Sequence, residues 1–75
     1  MAAAVVTVDA RGMRCPWPAL RLARAMRTAD AALLLTDDPR AEGEAAALAA
    51  VHGWVLAVSH VGPTWHIEAR TKAAR

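Results

Sequence analysis

Two prolines set one residue apart, Pro16 and Pro18, constrain this chain more tightly than any other feature of its 75 residues. Proline has no N–H to donate and its ring clashes with the preceding helical turn, so neither can lie inside a helix. At a first helical turn the missing N–H is no loss, because those groups lack partners in any case. The pair therefore marks where a helix can begin. Upstream, Ala4-Val5-Val6-Thr7-Val8 is rich in β-branched residues and reads as a strand, with Arg11-Gly12-Met13-Arg14 as the connecting loop. Downstream the pattern predicts a helix from Pro18 to about Thr28. Ala19, Leu22, Ala23 and Met26 recur at helical spacing and form its core-facing stripe, while Arg21, Arg24 and Arg27 slant around the exposed side.

The apolar run Ala31 to Thr36 fits a buried central strand. Asp37-Asp38-Pro39 resembles a helix start, with Asp38 at the N-cap and Pro39 at the first helical position. That second helix is expected from Pro39 to about His52, with Ala41, Ala45, Leu48 and Val51 or His52 facing inward. Gly43 weakens it by about 1 kcal/mol relative to alanine, and Gly53 ends it. Trp54 to Val61 and Trp65 to Arg70 read as strands joined by Gly62-Pro63-Thr64, with Trp65, Ile67 and Ala69 alternating against His66, Glu68 and Arg70. Thr71 to Arg75 is expected to fray. The order βαβαββ predicts an α+β two-layer sandwich, two helices on one face of a four-stranded mixed sheet. The whole chain, residues 1–75, reads as one domain. A chain this short buries only about 60% of its unfolded surface, so its core is expected to be thin.

Charge and cysteine count narrow the function. Eight Arg and one Lys stand against seven acids, a net +2, far short of a polyelectrolyte footprint for nucleic acid. Direct nucleic-acid binding is not expected. No run spans a bilayer, and Met1 to Val8 lacks the basic leader of a signal peptide, so a cytoplasmic protein without membrane contact is expected. A single cysteine, Cys15, excludes an internal disulfide, a Cys-x-x-Cys redox pair and a cysteine-rich zinc site. No metal and no cofactor are called for. His52, His60 and His66 match no ligand spacing and read as surface or interface residues.

Cys15 falls between the first strand and the first helix. A helix N-terminus carries partial positive charge and favours thiolate over thiol, so a depressed pKa is expected, with Arg11 and Arg14 adding to the field. Pro16 and Pro18 stiffen the backbone on either side of Trp17. The string Asp9-Ala10-Arg11-Gly12-Met13-Arg14-Cys15-Pro16-Trp17-Pro18 is similar to the signature of the TusA/SirA sulfur-carrier family, Asp-x-Arg-Gly leading into Cys-Pro-x-Pro. Asp37-Asp38-Pro39 and Gly53 resemble further positions of that family, and the likeness covers essentially the whole chain. Glu44 stands where the family commonly has Asp.

This resemblance implies that Cys15 is the catalytic residue and carries sulfane sulfur as a persulfide. It also implies a cysteine desulfurase or rhodanese-type donor and a downstream acceptor protein, in tRNA thiolation, cofactor sulfuration or sulfur oxidation. Arg11, Gly12, Arg14, Pro16 and Pro18 would then support the thiolate and its loop. Trp17, Arg21 and Arg24 are the candidate docking residues, weighed against packing for Trp17 and a merely solvated face for the arginines. Asp9 and Arg11 read as an ion pair shaping the loop. The alternative, from a different class, is a small regulatory module binding RNA or protein through its arginines, with an incidental or redox-sensing cysteine.

Overall fold

A computed structural model describes residues 5–72. The elements are β1 (Val6–Asp9), α1 (Trp17–Ala25), β2 (Ala31–Thr36), α2 (Ala41–His52), β3 (Trp54–Val61) and β4 (Thr64–Thr71). The sheet has the order β1-β2-β4-β3, with β1 and β2 parallel and the other two pairings antiparallel. Both helices pack on the same face, α1 over β1 and β2, α2 over β3 and β4. This is the expected α+β sandwich. Ala4 and residues 73–75, included in the expected first strand and frayed tail, fall outside the described residues. Thr71 is not frayed: its N–H donates to the Asp30 carbonyl at 2.9 Å.

The core is one row deep. On the helix-facing side Val8 pairs with Leu34, Leu34 with Ile67, and Ile67 with Val58. Leu34, Ile67 and Leu22 of α1 are the only large aliphatic side chains completely removed from solvent among the described residues. Alanine fills most of the remainder, with Ala10, Ala32, Ala45 and Ala69 in the same cluster. Trp54 and Trp65 pack against its margin as expected of sheet residues.

The two helices are held differently. In α1, Pro18, Ala19 and Leu22 are buried and Met26 follows at the cap, so the expected stripe is present. The helix stops three residues early, its end tightened by Arg27 and Thr28 N–H groups that donate three residues back. In α2 the buried row is Ala41, Ala45 and Ala49. The expected inward place of Val51 or His52 is overturned: Val51 is 78% exposed, and the His52 ring stacks on Trp54 with centroids 5.0 Å apart. Beyond Glu44 the helix is apolar all round up to His52 and offers no periodicity from which to choose a face. Here the row of small side chains wins because it lets the backbone approach most closely. Gly53 ends α2 at φ 75°, a left-handed conformation that favours glycine, with its N–H donating to Ala49.

Candidate functional site

Both helices follow strands that run the same way, so both begin at the same end of the sheet. There the β1–α1 loop, carrying Cys15, meets the β2–α2 loop. The meeting is held by two carboxylates. The Gly12 N–H donates to both oxygens of Asp37, at 3.0 and 3.2 Å, and the Cys15 N–H donates to Asp38 Oδ2 at 2.6 Å. Gly12 sits at φ 83°, which a side chain would strain. Asp38 is itself fixed: its Oδ1 accepts from the Arg40 N–H at 3.0 Å and from Arg40 Nε at 3.3 Å, and its N–H donates to Thr36 Oγ1.

Asp38 therefore does not cap α2 as expected. Arg40 occupies the N-cap position without a side-chain bond, and α2 begins at Ala41. Its carboxylate bridges the two loops, one oxygen taking the Arg40 N–H just before α2 and the other the Cys15 N–H. The backbone N–H groups of Arg40 and then Cys15, with the Arg40 guanidinium, hold its pKa at about 2 against the cost of desolvation. A depressed carboxylate stabilises the fold above the ordinary carboxylate range, and that contribution is lost as the pH falls toward 2.

Cys15 is half-buried and free. Its expected low pKa is not found. Desolvation, then the charge and hydrogen bond of Glu44, then Asp38, push the thiol above its ordinary value, and only Arg40 opposes them. Burial comes first, and the carboxylates of the second helix and its loop add to it. Arg11 adds little at the sulfur because Asp9 engages it, with Nη2 2.7 Å from Oδ2, the expected loop-shaping ion pair. Asp9 is in turn held near pKa 2, chiefly by that side-chain hydrogen bond. Arg14 is exposed and lines a cleft of about 450 Å³ together with Gly12, Met13, Asp37, Asp38, Pro39 and Arg40. Cys15, bonded to Asp38 and next to Arg14, borders it.

Around α1, Pro16 takes the N-cap position and Pro18 is buried in the first turn. Trp17, between them, is 61% exposed. It borders a groove of about 610 Å³ between β1 and α1, lined also by Val6, Val8, Arg21 and Arg24. Arg21 has a structural duty: its Nη1 donates to the Asp9 carbonyl at 2.9 Å and reaches Met13 Sδ at 3.8 Å. Arg24 is exposed and makes no side-chain bond among the described residues. Asp37, Asp38 and Arg40 are the site residues that the motif reading did not assign to Cys15. Their only local signal, Asp-Asp-Pro, fits a helix cap equally well.

Among the described residues no three His, Cys, Asp or Glu side chains are arranged to hold a metal, and no helix is long and apolar enough to cross a membrane.

The geometry is that of a lone, half-buried cysteine between a strand and a helix start, with its backbone clamped from a second loop. The family model for sulfurtransferase TusA matches residues 6–71, and the chain belongs to that family. A comparison with curated proteins returns no match. Among solved structures, the SirA-like protein from Desulfitobacterium hafniense superposes with a TM-score of 0.80 at 19% identity. The match covers 93% of this chain and 99% of that one, and the likeness is one of fold.

Proposed function

We propose that Cys15 relays sulfane sulfur as a persulfide, accepting it from a cysteine desulfurase or rhodanese-type donor and passing it to an acceptor protein. The observation that carries this reading is the placement of the only thiol: half-buried at the start of α1, its N–H bonded to Asp38, with Arg40 the one cation lowering its pKa. In loading, the Cys15 thiolate attacks the outer sulfur of the donor persulfide. A new S–S bond forms on Cys15 as the donor S–S bond breaks, and the donor thiolate departs with the electron pair. The thiol proton ends on that departing thiolate, so sulfur moves with no net oxidation or reduction.

Unloading is the same exchange toward the acceptor, in tRNA thiolation, cofactor sulfuration or sulfur oxidation, in a cytoplasm that keeps thiols reduced. A thiol held above its ordinary pKa is a poor nucleophile and a poor target for oxidants until a partner changes its surroundings. Docking displaces water from Glu44 and Arg40 and resets that balance. Trp17 and Arg24, exposed along the groove beside α1, make the contact. Arg21 supports them by fixing the loop, and Arg11, Gly12, Arg14, Pro16 and Pro18 give the thiol its stiff mounting.

The test is mass spectrometry after incubation with a desulfurase and cysteine, and separately with a rhodanese and thiosulfate. Wild-type protein should gain one sulfur, removable by a reductant and mapped to Cys15. Cys15→Ser should keep the wild-type circular dichroism and gain nothing. Failure of both donors to load the folded protein would sink the proposal.

A further inference from the structure

From Ala45 to Ile67 the chain contains no Asp, Glu, Lys or Arg. That stretch covers most of α2, all of β3 and half of β4, and much of it is exposed. Ala46, Ala47, Ala50 and Val51 of α2 are exposed, and in β3 Val55, Val58 and Val61 are 53%, 38% and 59% exposed. β3 is also a sheet edge, eight residues long. Edge strands are ordinarily blunted by charge, proline or shortness, because their unpaired N–H and C=O groups invite another strand. The opposite edge, β1, is four residues long and ends in the Asp9–Arg11 ion pair. Nothing of the kind protects β3.

We propose that β3 pairs antiparallel with β3 of a second copy of this chain, about a two-fold axis through Val58. Three observations select a second copy rather than another partner. First, the strand is self-complementary in that register. Val58 meets Val58 of the second copy on the helix-facing side, and Val55 meets its Val61 on the opposite face, so each exposed valine is covered by another. Leu56 falls opposite His60. An uncharged strand can face itself without placing like charges opposite each other. It offers a charged partner nothing to pair with.

Second, the hydrogen-bonding groups alternate correctly. Gly62, at φ 60°, and Pro63 form a two-residue connection suited to a type II′ turn, so the flanking Val61 and Thr64 are a hydrogen-bonded pair. Counting back, Leu56, Val58 and His60 direct their N–H and C=O groups outward, which is what a dyad at Val58 requires. Third, Val58 is the last member of the core row Val8, Leu34, Ile67. A second copy continues that row with its own Val58 and Ile67. Because β1 is short, the association closes as a pair rather than growing into a filament. Both Cys15 thiols, beside the β1 edge, stay free.

Sedimentation equilibrium over a concentration series should show the mass rising from 7.9 kDa toward twice that value. Val58→Lys should remain at the single-chain mass with unchanged circular dichroism. In a Cys15→Ser background, Val58→Cys should cross-link to a dimer on mild oxidation, since dyad-related Cα atoms of a hydrogen-bonded pair lie about 5.5 Å apart, within disulfide reach. Thr7→Cys on the other edge should not. A wild-type protein that stays single at every concentration overturns the proposal. So does a dimer that survives Val58→Lys, or one that Val58→Cys fails to cross-link. Co-sedimentation of the single chain with phosphatidylcholine vesicles would give the same face to lipid and overturn it as well.

Discussion

α1 and α2 lie side by side on one face of the sheet, yet they are attached and exposed in opposite ways. α1 drives large side chains, Leu22 and the adjoining Met26, into the core and turns Arg21, Arg24 and Arg27 outward. α2 enters the core through Ala41, Ala45 and Ala49 and shows more alanine and a valine to solvent. The difference separates two tasks. α1 is an amphipathic helix that keeps its arginines on the solvent side. α2 brings its backbone close to the sheet, which places its first turn, with Arg40 and Glu44, near the sulfur. Its outer surface beyond the first turn is apolar and exposed. In a chain with so thin a core, each helix depends on its own kind of fit, and each fit fails differently.

The largest effect expected is on the α1 side. Leu22→Ala removes a fully buried side chain and should cost about 2–5 kcal/mol in urea unfolding. On the α2 side the damaging change is in the other direction: Ala45→Leu overpacks a close helix–sheet contact and should cost about 1–3 kcal/mol. If Leu22→Ala or Ala45→Leu proves harmless, the two helices are not held as described.

A smaller effect concerns the sulfur. Glu44 and desolvation hold the folded Cys15 pKa above its ordinary value, so removing the carboxylate must lower it. Glu44→Gln should therefore raise the rate of iodoacetamide alkylation severalfold at neutral pH and move its pH midpoint down. Arg40→Gln should slow alkylation and move the midpoint up. The same raised pKa stabilises the fold below the ordinary thiol value and ceases to do so as the pH climbs past the folded one. Equal pH profiles for the two variants would show that α2 does not control the thiol.

The smallest effect is on stability at the docking face. Trp17→Ala combined with Arg24→Glu should change unfolding by no more than about 0.5 kcal/mol, since both side chains are exposed. Persulfide loading from a protein donor should slow markedly while alkylation by a small reagent stays the same. Slowed alkylation would mean that the pair shapes the loop rather than receiving a partner.

The features legible in the sequence were those set by neighbours along the chain. Pro16 and Pro18 place the start of α1, Leu22 and Met26 its inner stripe, Gly53 the end of α2, and the Ile67–Ala69 alternation the last strand. Cys-Pro-x-Pro singled out Cys15 for the same reason. What could not be read depended on residues far apart. Asp38 lies 23 positions from Cys15 and Asp37 lies 25 from Gly12. An acidic pair before a proline satisfies a helix cap so well that nothing local points elsewhere. The raised thiol pKa is illegible for the same reason: the helix end beside Cys15 is visible in the sequence, whereas the approach of Glu44 to the sulfur is not. The outward place of Val51 is illegible because α2 has no polar residue between Glu44 and His52 to give it a direction.

The bond from Cys15 to Asp38 also has a consequence in time. As the chain leaves the ribosome, Cys15 emerges before the residue that tethers it and well before Glu44. Until β2 has paired and α2 has formed, the nascent thiol is fully hydrated and has ordinary acidity, which makes it more reactive than in the finished protein. Folding here does not switch a nucleophile on; it quiets one. The thiol of a half-made chain thus ionises more readily than that of the finished domain.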